Sequence, residues 1–231
     1  MLAIRFAPDF HLQAVIGQSR QLVDITSLSP PVTDWPTKDK WESGLPGGLP
    51  KETEACDAII GGIVDCLERW LAAATAAPTS APRLMIRILF GMTIVKIAAM
   101  RTYWEKFKKK LAVKLTPLAE RIAAAVACGA PTPPVVLYGS DIGSPDLLHG
   151  DLGIPSTFNH SKIVAGDGVY ALAGGHNMAE ELSSNTAPVI HDMTCEITGP
   201  GARSANAFAG SLWIKAAESG ERHNGFDIMF G

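Results

Sequence analysis

Two apolar runs meet at Asp167-Gly168, and this junction constrains the fold more than any other feature of the chain. "KIVAGD" leads into the pair and "GVYALAGG" leads out of it. Asp-Gly accepts the positive φ values that a two-residue hairpin turn demands. The stretch therefore predicts a strand, a tight turn and an antiparallel strand. Elsewhere, predicted strands alternate with helices, the pattern of an α/β layer structure. The hairpin makes its sheet mixed rather than purely parallel.

The other elements follow from periodicity. "FHLQAVIGQSR" predicts a helix leading into the short strand "QLVDITSL", which stops at Pro30-Pro31. From Pro30 to Pro50 the chain is rich in Pro, Gly and charge, and reads as a long surface loop or site rim carrying Trp35 and Trp41. Between Ala55 and Ala74, Ile59, Ile63, Leu67 and Leu71 recur on one side of a helix, although Gly61 and Gly62 interrupt it. In "RLMIRILFG", Leu84, Ile86 and Ile88 alternate with Arg83, Met85 and Arg87, the period-two pattern of a strand. A helix is predicted from about Thr102 to Ala127, kinked near Pro117. "PPVVLYGS" and "HDMTCEITG" read as further strands, and "GARSANAFAGSLWIKAA" as a helix with Ala207, Leu212 and Trp213 among its apolar positions.

Composition narrows the function classes. The 231 residues suffice for one sizeable core, and a 19% charged fraction suits a globular protein. A net charge of -3 advertises no broad nucleic-acid surface. The cationic run "KFKKK" (Lys106 to Lys110) is a local exception; it reads as a solvated helical face or as a contact for lipid or nucleic-acid phosphate. No apolar run reaches membrane-spanning length, and "MLAIRFAPDF" lacks the pattern of a signal peptide. Cys56, Cys66, Cys128 and Cys195 match no zinc spacing; they allow one or two disulfides or buried free thiols. Neither a dinucleotide fingerprint nor a phosphate loop is present in the sequence.

The candidate chemistry lies in "FNHSKIVAGDGVYALAGGHNM" (Phe158 to Met178). In an extended chain, residues two apart share a face, so His160 and Lys162 present an imidazole and an ammonium together. An imidazole serves as nucleophile or general acid-base near neutral pH, and an ammonium holds phosphoryl oxygens. The pair alone fits a surface His beside a surface Lys equally well. Asn177 adds a polar amide just after Gly174-Gly175, where missing side chains allow a ligand close to the backbone. Asp167, at the turn, is suited to holding backbone amides. Asp192 opens a separate strand and is a candidate to fix the His160 tautomer.

The spacing His160-x-Lys162, four residues, Asp167, six residues, Gly174-Gly175-x-Asn177 resembles the signature of the phospholipase D superfamily. The flanks "LVDITSLSP", "LMIRILFG", "FNHSK" and "HDMTCEITGPGA" are similar to segments of the N-terminal half of secreted bacterial-type members. The resemblance runs from about Leu12 to Lys215, with a divergent region at Pro30 to Ala55. It implies a mixed sheet flanked by helices in α-β-α layers. It implies phosphodiester hydrolysis or transphosphatidylation on phospholipids, through a phosphohistidine. By this likeness His160 is the nucleophile; Lys162, Asn177 and Gly175 bind the phosphoryl group; Asp192 orients His160; and Asp167 completes the motif in a mainly structural place. No cofactor or metal is implied. A secreted or periplasmic location is.

Residues 1–231 then read as a single half carrying one motif, with the Pro/Gly-rich insertion at about 30–55. The superfamily's active centre pairs two motifs, and this sequence holds one. The resemblance therefore implies a partner: a second phospholipase D-like half on a separate chain. The alternatives are a homodimeric phosphodiesterase or nuclease acting on nucleic acid, or a half that binds without catalysis.

Overall fold

The computed structural model describes residues 8–27, 52–91, 97–139, 160–175, 194–220 and 227–230. The Pro30–Pro50 loop with Trp35 and Trp41 lies outside them, as do Asn177 and Asp192. The described elements are α1 (Pro8–Gly17), β1 (Leu22–Ser27), α2 (Glu52–Ala76), β2 (Met85–Phe90), α3 (Ile97–Ala127), β3 (Val135–Gly139), β4 (Ile163–Gly166), β5 (Tyr170–Gly174), β6 (Thr194–Thr198), α4 (Pro200–Gly220) and β7 (Asp227–Met229).

The strands form one seven-stranded mixed sheet in the order β6-β5-β4-β1-β2-β3-β7. β1, β2 and β3 run parallel; β4, β5 and β6 form an antiparallel meander on the β1 side. β7 closes the other end, antiparallel to β3. The Asp167-Gly168 turn forms as its residue types predict. Both residues have positive φ, 55° and 65°, and the Val169 N–H donates to the Gly166 carbonyl at 2.9 Å.

The pleat divides the sheet's side chains between two layers. Val23, Ile25, Ile86, Ile88, Val135 and Val164 point into a large core shared with α1, α2 and α3. The alternate residues face α4: Leu89 and Tyr138 pack on Trp213 and Ala216, and Ala165 and Ala171 pack on Ala202. Among the described residues this is an α-β-α arrangement, with three helices on one side of the sheet and one on the other.

The stripe Ile59, Ile63, Leu67 and Leu71 is fully buried, as its spacing predicts. Each such side chain contributes about 1.5–3 kcal/mol on burial. The glycines that weaken α2 as an isolated helix have a packing reason. A Cβ on Gly62 would meet Ile16 Cβ at 2.7 Å and the Gln13 carbonyl at 3.0 Å, so α1 crosses α2 in near-backbone contact. α3 begins before Thr102 and runs through Pro117 as one helix, with that proline exposed. In α4, Ala207 is exposed, whereas Ala202, Ala209, Trp213 and Ala216 are buried. An Ala-rich helix gives little contrast between its faces in sequence, so only its packing on the sheet shows which one is buried.

None of the four cysteines is joined in a disulfide. Cys56 and Cys66 are buried, Cys128 is exposed and Cys195 is half-buried in the edge strand β6. Burial pushes the Cys66 thiol up to about 12, with the nearby Asp167 charge adding to the effect. Its Sγ donates to the Ser19 carbonyl at 3.3 Å.

Candidate functional site

β1 and β4 are antiparallel, so the start of β4 lies beside the end of β1. The last ladder pair is Thr26 with Ile163. His160, Ser161 and Lys162 precede β4 and extend past that pair, at the end of the sheet where β1, β2 and β3 finish. In open α/β sheets, ligand crevices sit at this carboxyl edge of the parallel strands.

His160 is exposed and Lys162 is buried, with 8% of its surface accessible. The Lys162 Nζ lies 3.0 Å from His160 Nδ1, 3.2 Å from Nε2 and 3.3 Å from the His160 carbonyl oxygen, to which it donates. The ammonium is thus close to both ring nitrogens. Its aliphatic stem is sunk in the protein while its charged end stays at the imidazole. Such a pair can hold an anionic oxygen next to a nucleophilic nitrogen.

Hydrogen bonds on both flanks hold this segment beyond the ladder. The Gly174 N–H donates to the Lys162 carbonyl at 3.3 Å, which brings the glycine pair alongside. The hydroxyls of Thr26 and Ser161 share a hydrogen bond of 2.7 Å. Gly175, half-buried, follows β5 directly at the same end. The structure therefore brings His160, Lys162 and Gly174-Gly175 together.

Asp167 is not part of this cluster. It stands at the opposite end of β4, about 15 Å of extended chain from Lys162 at the usual rise per residue. Its carboxylate accepts the backbone N–H groups of Arg20 at 2.7 Å, Gln21 at 2.9 Å and Leu22 at 2.8 Å. Asp167 thus holds backbone amides, the part that its place at the turn suggests. It ties the hairpin turn to the entrance of β1.

The same turn is held from the α4 side. The Gly168 N–H donates to Asn206 Oδ1 at 2.7 Å, and Asn206 Nδ2 donates to Asp24 Oδ2 at 2.8 Å. Asp24 is fully buried and receives Arg87 through two bonds, Nε to Oδ1 at 2.7 Å and a terminal nitrogen to Oδ2 at 2.9 Å. The Arg87 guanidinium also lies 5.7 Å from the centre of the Trp213 ring. A buried carboxylate is tolerable only when paired and hydrogen-bonded in this way. Sequence reading did not single out Thr26, Ser161, Asp24 or Asn206. The one local signal was a carboxylate in the middle of the otherwise apolar "LVDIT".

The cationic run on α3 is partly committed within the chain. Lys108 bonds Asp227 at 2.9 Å and Glu105 at 3.0 Å, and Lys110 bonds Asp57 at 2.6 Å. Burial alone would lower the Lys108 pKa, but the hydrogen bonds it donates to the Asp227 and Glu105 carboxylates outweigh burial and leave the ammonium above its ordinary value. Among the described residues, no group of three or more His, Cys, Asp or Glu side chains is placed to hold a metal ion, and no helix is long and apolar enough to cross a membrane.

The class that fold and site define is an α/β protein with α-β-α layers and a His–Lys pair at the carboxyl edge of its parallel strands. No family model and no curated protein matches the chain. Among solved structures, it is distantly similar to Nuc from Salmonella typhimurium, described as a phospholipase D family member, at 10% identity. That alignment covers 93% of this chain and 95% of the other, with a TM-score of 0.38. A second similar structure is NucT from Helicobacter pylori, at 11% identity, 95% coverage of both chains and a TM-score of 0.41.

Proposed function

We propose that the chain is one half of a phospholipase D-type phosphodiesterase, acting on phospholipids once a second chain supplies an opposing motif. The observation that carries this reading is the contact of Lys162 Nζ with the exposed His160 ring, 3.0 Å from Nδ1, at the carboxyl edge of the parallel strands. The spacing from His160 through Gly174-Gly175 to Asn177 supports it.

The chemistry runs in two displacements. A His160 ring nitrogen attacks phosphorus, and the bond from phosphorus to the leaving alcohol breaks. The departing oxygen takes a proton from an acid on the partner half. Water, or an acceptor alcohol, then attacks the phosphohistidine; it gives its proton to that same partner group as the phosphorus–nitrogen bond breaks. Lys162 donates to the non-bridging oxygens, whose charge grows in each transition state. In this proposal Asn177 shares that task, the Gly175 backbone lets the phosphoryl group approach, and Asp192 orients the imidazole. The alcohol is selected by surrounding loops rather than by the motif.

The test is headgroup release from phosphatidylcholine vesicles, together with hydrolysis of bis(p-nitrophenyl) phosphate. The assay uses the native assembly containing this chain, as wild type and as His160→Ala. Loss of activity in the variant is expected, with a phosphorylated His160 recovered from the wild type after an alkaline quench, which preserves the acid-labile phosphorus–nitrogen bond. Equal activity in both proteins overturns the assignment. Rates from the isolated chain that rise with the square of its concentration would replace the separate partner with a second copy.

A further inference from the structure

We infer that Thr26 is a positioning residue for the His160–Lys162 pair, acting through Ser161; the reaction it would serve rests on the function proposed above. The pair stands on a segment outside the sheet ladder. β4 begins at Ile163, and its pairing with β1 ends at Thr26 with Ile163. That segment carries the imidazole and the ammonium.

On the β5 side it is held by the Gly174 N–H at 3.3 Å, a long bond. On the β1 side a short tie is the hydroxyl pair of Thr26 and Ser161, at 2.7 Å. Thr26 is fully buried on a strand with neighbours on both sides. Its β-branched side chain has few χ1 choices there, so its oxygen is a fixed point. Ser161 is the residue between His160 and Lys162. In extended chain its side chain points opposite to theirs. Fixing Ser161 on the α4 face therefore fixes the two flanking peptide groups and directs both functional side chains to the other face.

This role differs from that of Asp24 and Asn206. Those residues brace the middle of the sheet and the far turn, whereas the Thr26 hydroxyl reaches the segment that bears the chemistry. It also gives a reason for a polar residue at a fully buried strand position.

The experiment compares Thr26→Val, which keeps the shape and removes the hydroxyl, with Thr26→Ser, which keeps the hydroxyl. Ser161→Ala approaches the same bond from its half-buried partner. The first measurement, on the full chain, is the through-space NMR contact between the His160 ring protons and the Lys162 ε-methylene. It is expected in wild type and Thr26→Ser, and lost in Thr26→Val and Ser161→Ala. The second is turnover of bis(p-nitrophenyl) phosphate by the native assembly. Because small misplacements of reacting groups are costly, kcat should fall about tenfold or more in the two hydroxyl-deleted variants, with KM changed by less than about twofold. Thr26→Ser should restore it.

An undiminished His160–Lys162 contact in Thr26→Val overturns the inference, whatever the activity. If Thr26→Val does not fold by circular dichroism, Ser161→Ala decides on the same criterion. Loss of the contact in an assembly whose wild type cleaves no phosphodiester upholds the positioning role and overturns the proposed reaction instead.

Discussion

Asp24 and Arg87 stand directly opposite each other on β1 and β2 and are joined by two hydrogen bonds of 2.7 and 2.9 Å. The carboxylate is fully buried and also receives Asn206 from α4. Three separate elements therefore converge on one charged side chain.

Removing one member should be worse than removing both. Asp24→Ala leaves the guanidinium without its counter-charge and should lower unfolding free energy by about 3–5 kcal/mol. The double change Asp24→Leu with Arg87→Met removes the uncompensated charge and should recover a large part of that loss. Urea unfolding of the two variants checks this; a double variant less stable than Asp24→Ala refutes it.

Asp167 should matter for folding and not for chemistry. Asp167→Ala deprives three backbone N–H groups of their acceptor. Two of these bonds are exposed and water can replace them, so a loss of about 1–3 kcal/mol is expected. Turnover per folded molecule should stay near wild type. Thermal unfolding beside an active-site-normalised assay separates the two effects; a large fall in kcat with unchanged stability would return Asp167 to the reaction.

Two glycine replacements should have opposite signs. Gly62→Ala places a methyl 2.7 Å from Ile16 Cβ, and the resulting strain of about 1–3 kcal/mol should exceed the helix-propensity gain. Gly210→Ala in α4 meets nothing within 4 Å and should stabilise by about 0.5–1 kcal/mol. Melting temperatures of the two single variants suffice to check the pair.

Cys66 makes stability fall at high pH. Its folded-state pKa, about 12, lies above the ordinary value of 9.0, so the folded chain retains the thiol proton more strongly than the unfolded chain. The contribution is fully present below pH 9.0 and is lost progressively between 9.0 and about 12 as the unfolded thiol ionises first. Denaturant titrations across that range should show a decline that Cys66→Ala reduces. Near neutral pH a thiol reagent should label the exposed Cys128 well before Cys66.

Features with a local cause were legible from the residues themselves. The Asp-Gly turn, the period-two run around Ile86 and Ile88, and the stripe from Ile59 to Leu71 each state their own geometry. The spacing of His160 and Lys162 likewise anticipated their proximity. What was not legible depends on register and on layers. Nothing in "MIRILF" says that Arg87 faces Asp24, because that pairing is fixed only when β1 and β2 align. Nothing in "FNHSK" says that Ser161 meets Thr26, 135 positions earlier. That Asp167 holds backbone amides was legible from its place at the turn; that those amides belong to Arg20, Gln21 and Leu22 was not. The placement of Asn177 and Asp192 lies outside the described residues.

β7 has a consequence for how the sheet meets other chains. It is only three residues long, and it covers the β3 edge with a strand whose first side chain, Asp227, is engaged by Lys108. A short outer strand with a charged side chain is a poor template for an incoming strand. If the chain were shortened to end at Gly220, the backbone of Val135 to Leu137 would lose that cover, and the β3 edge would be open to pairing with its own copies. β7 thus guards the β3 edge against aggregation, and a loss of solubility, rather than of helix content, should report its removal.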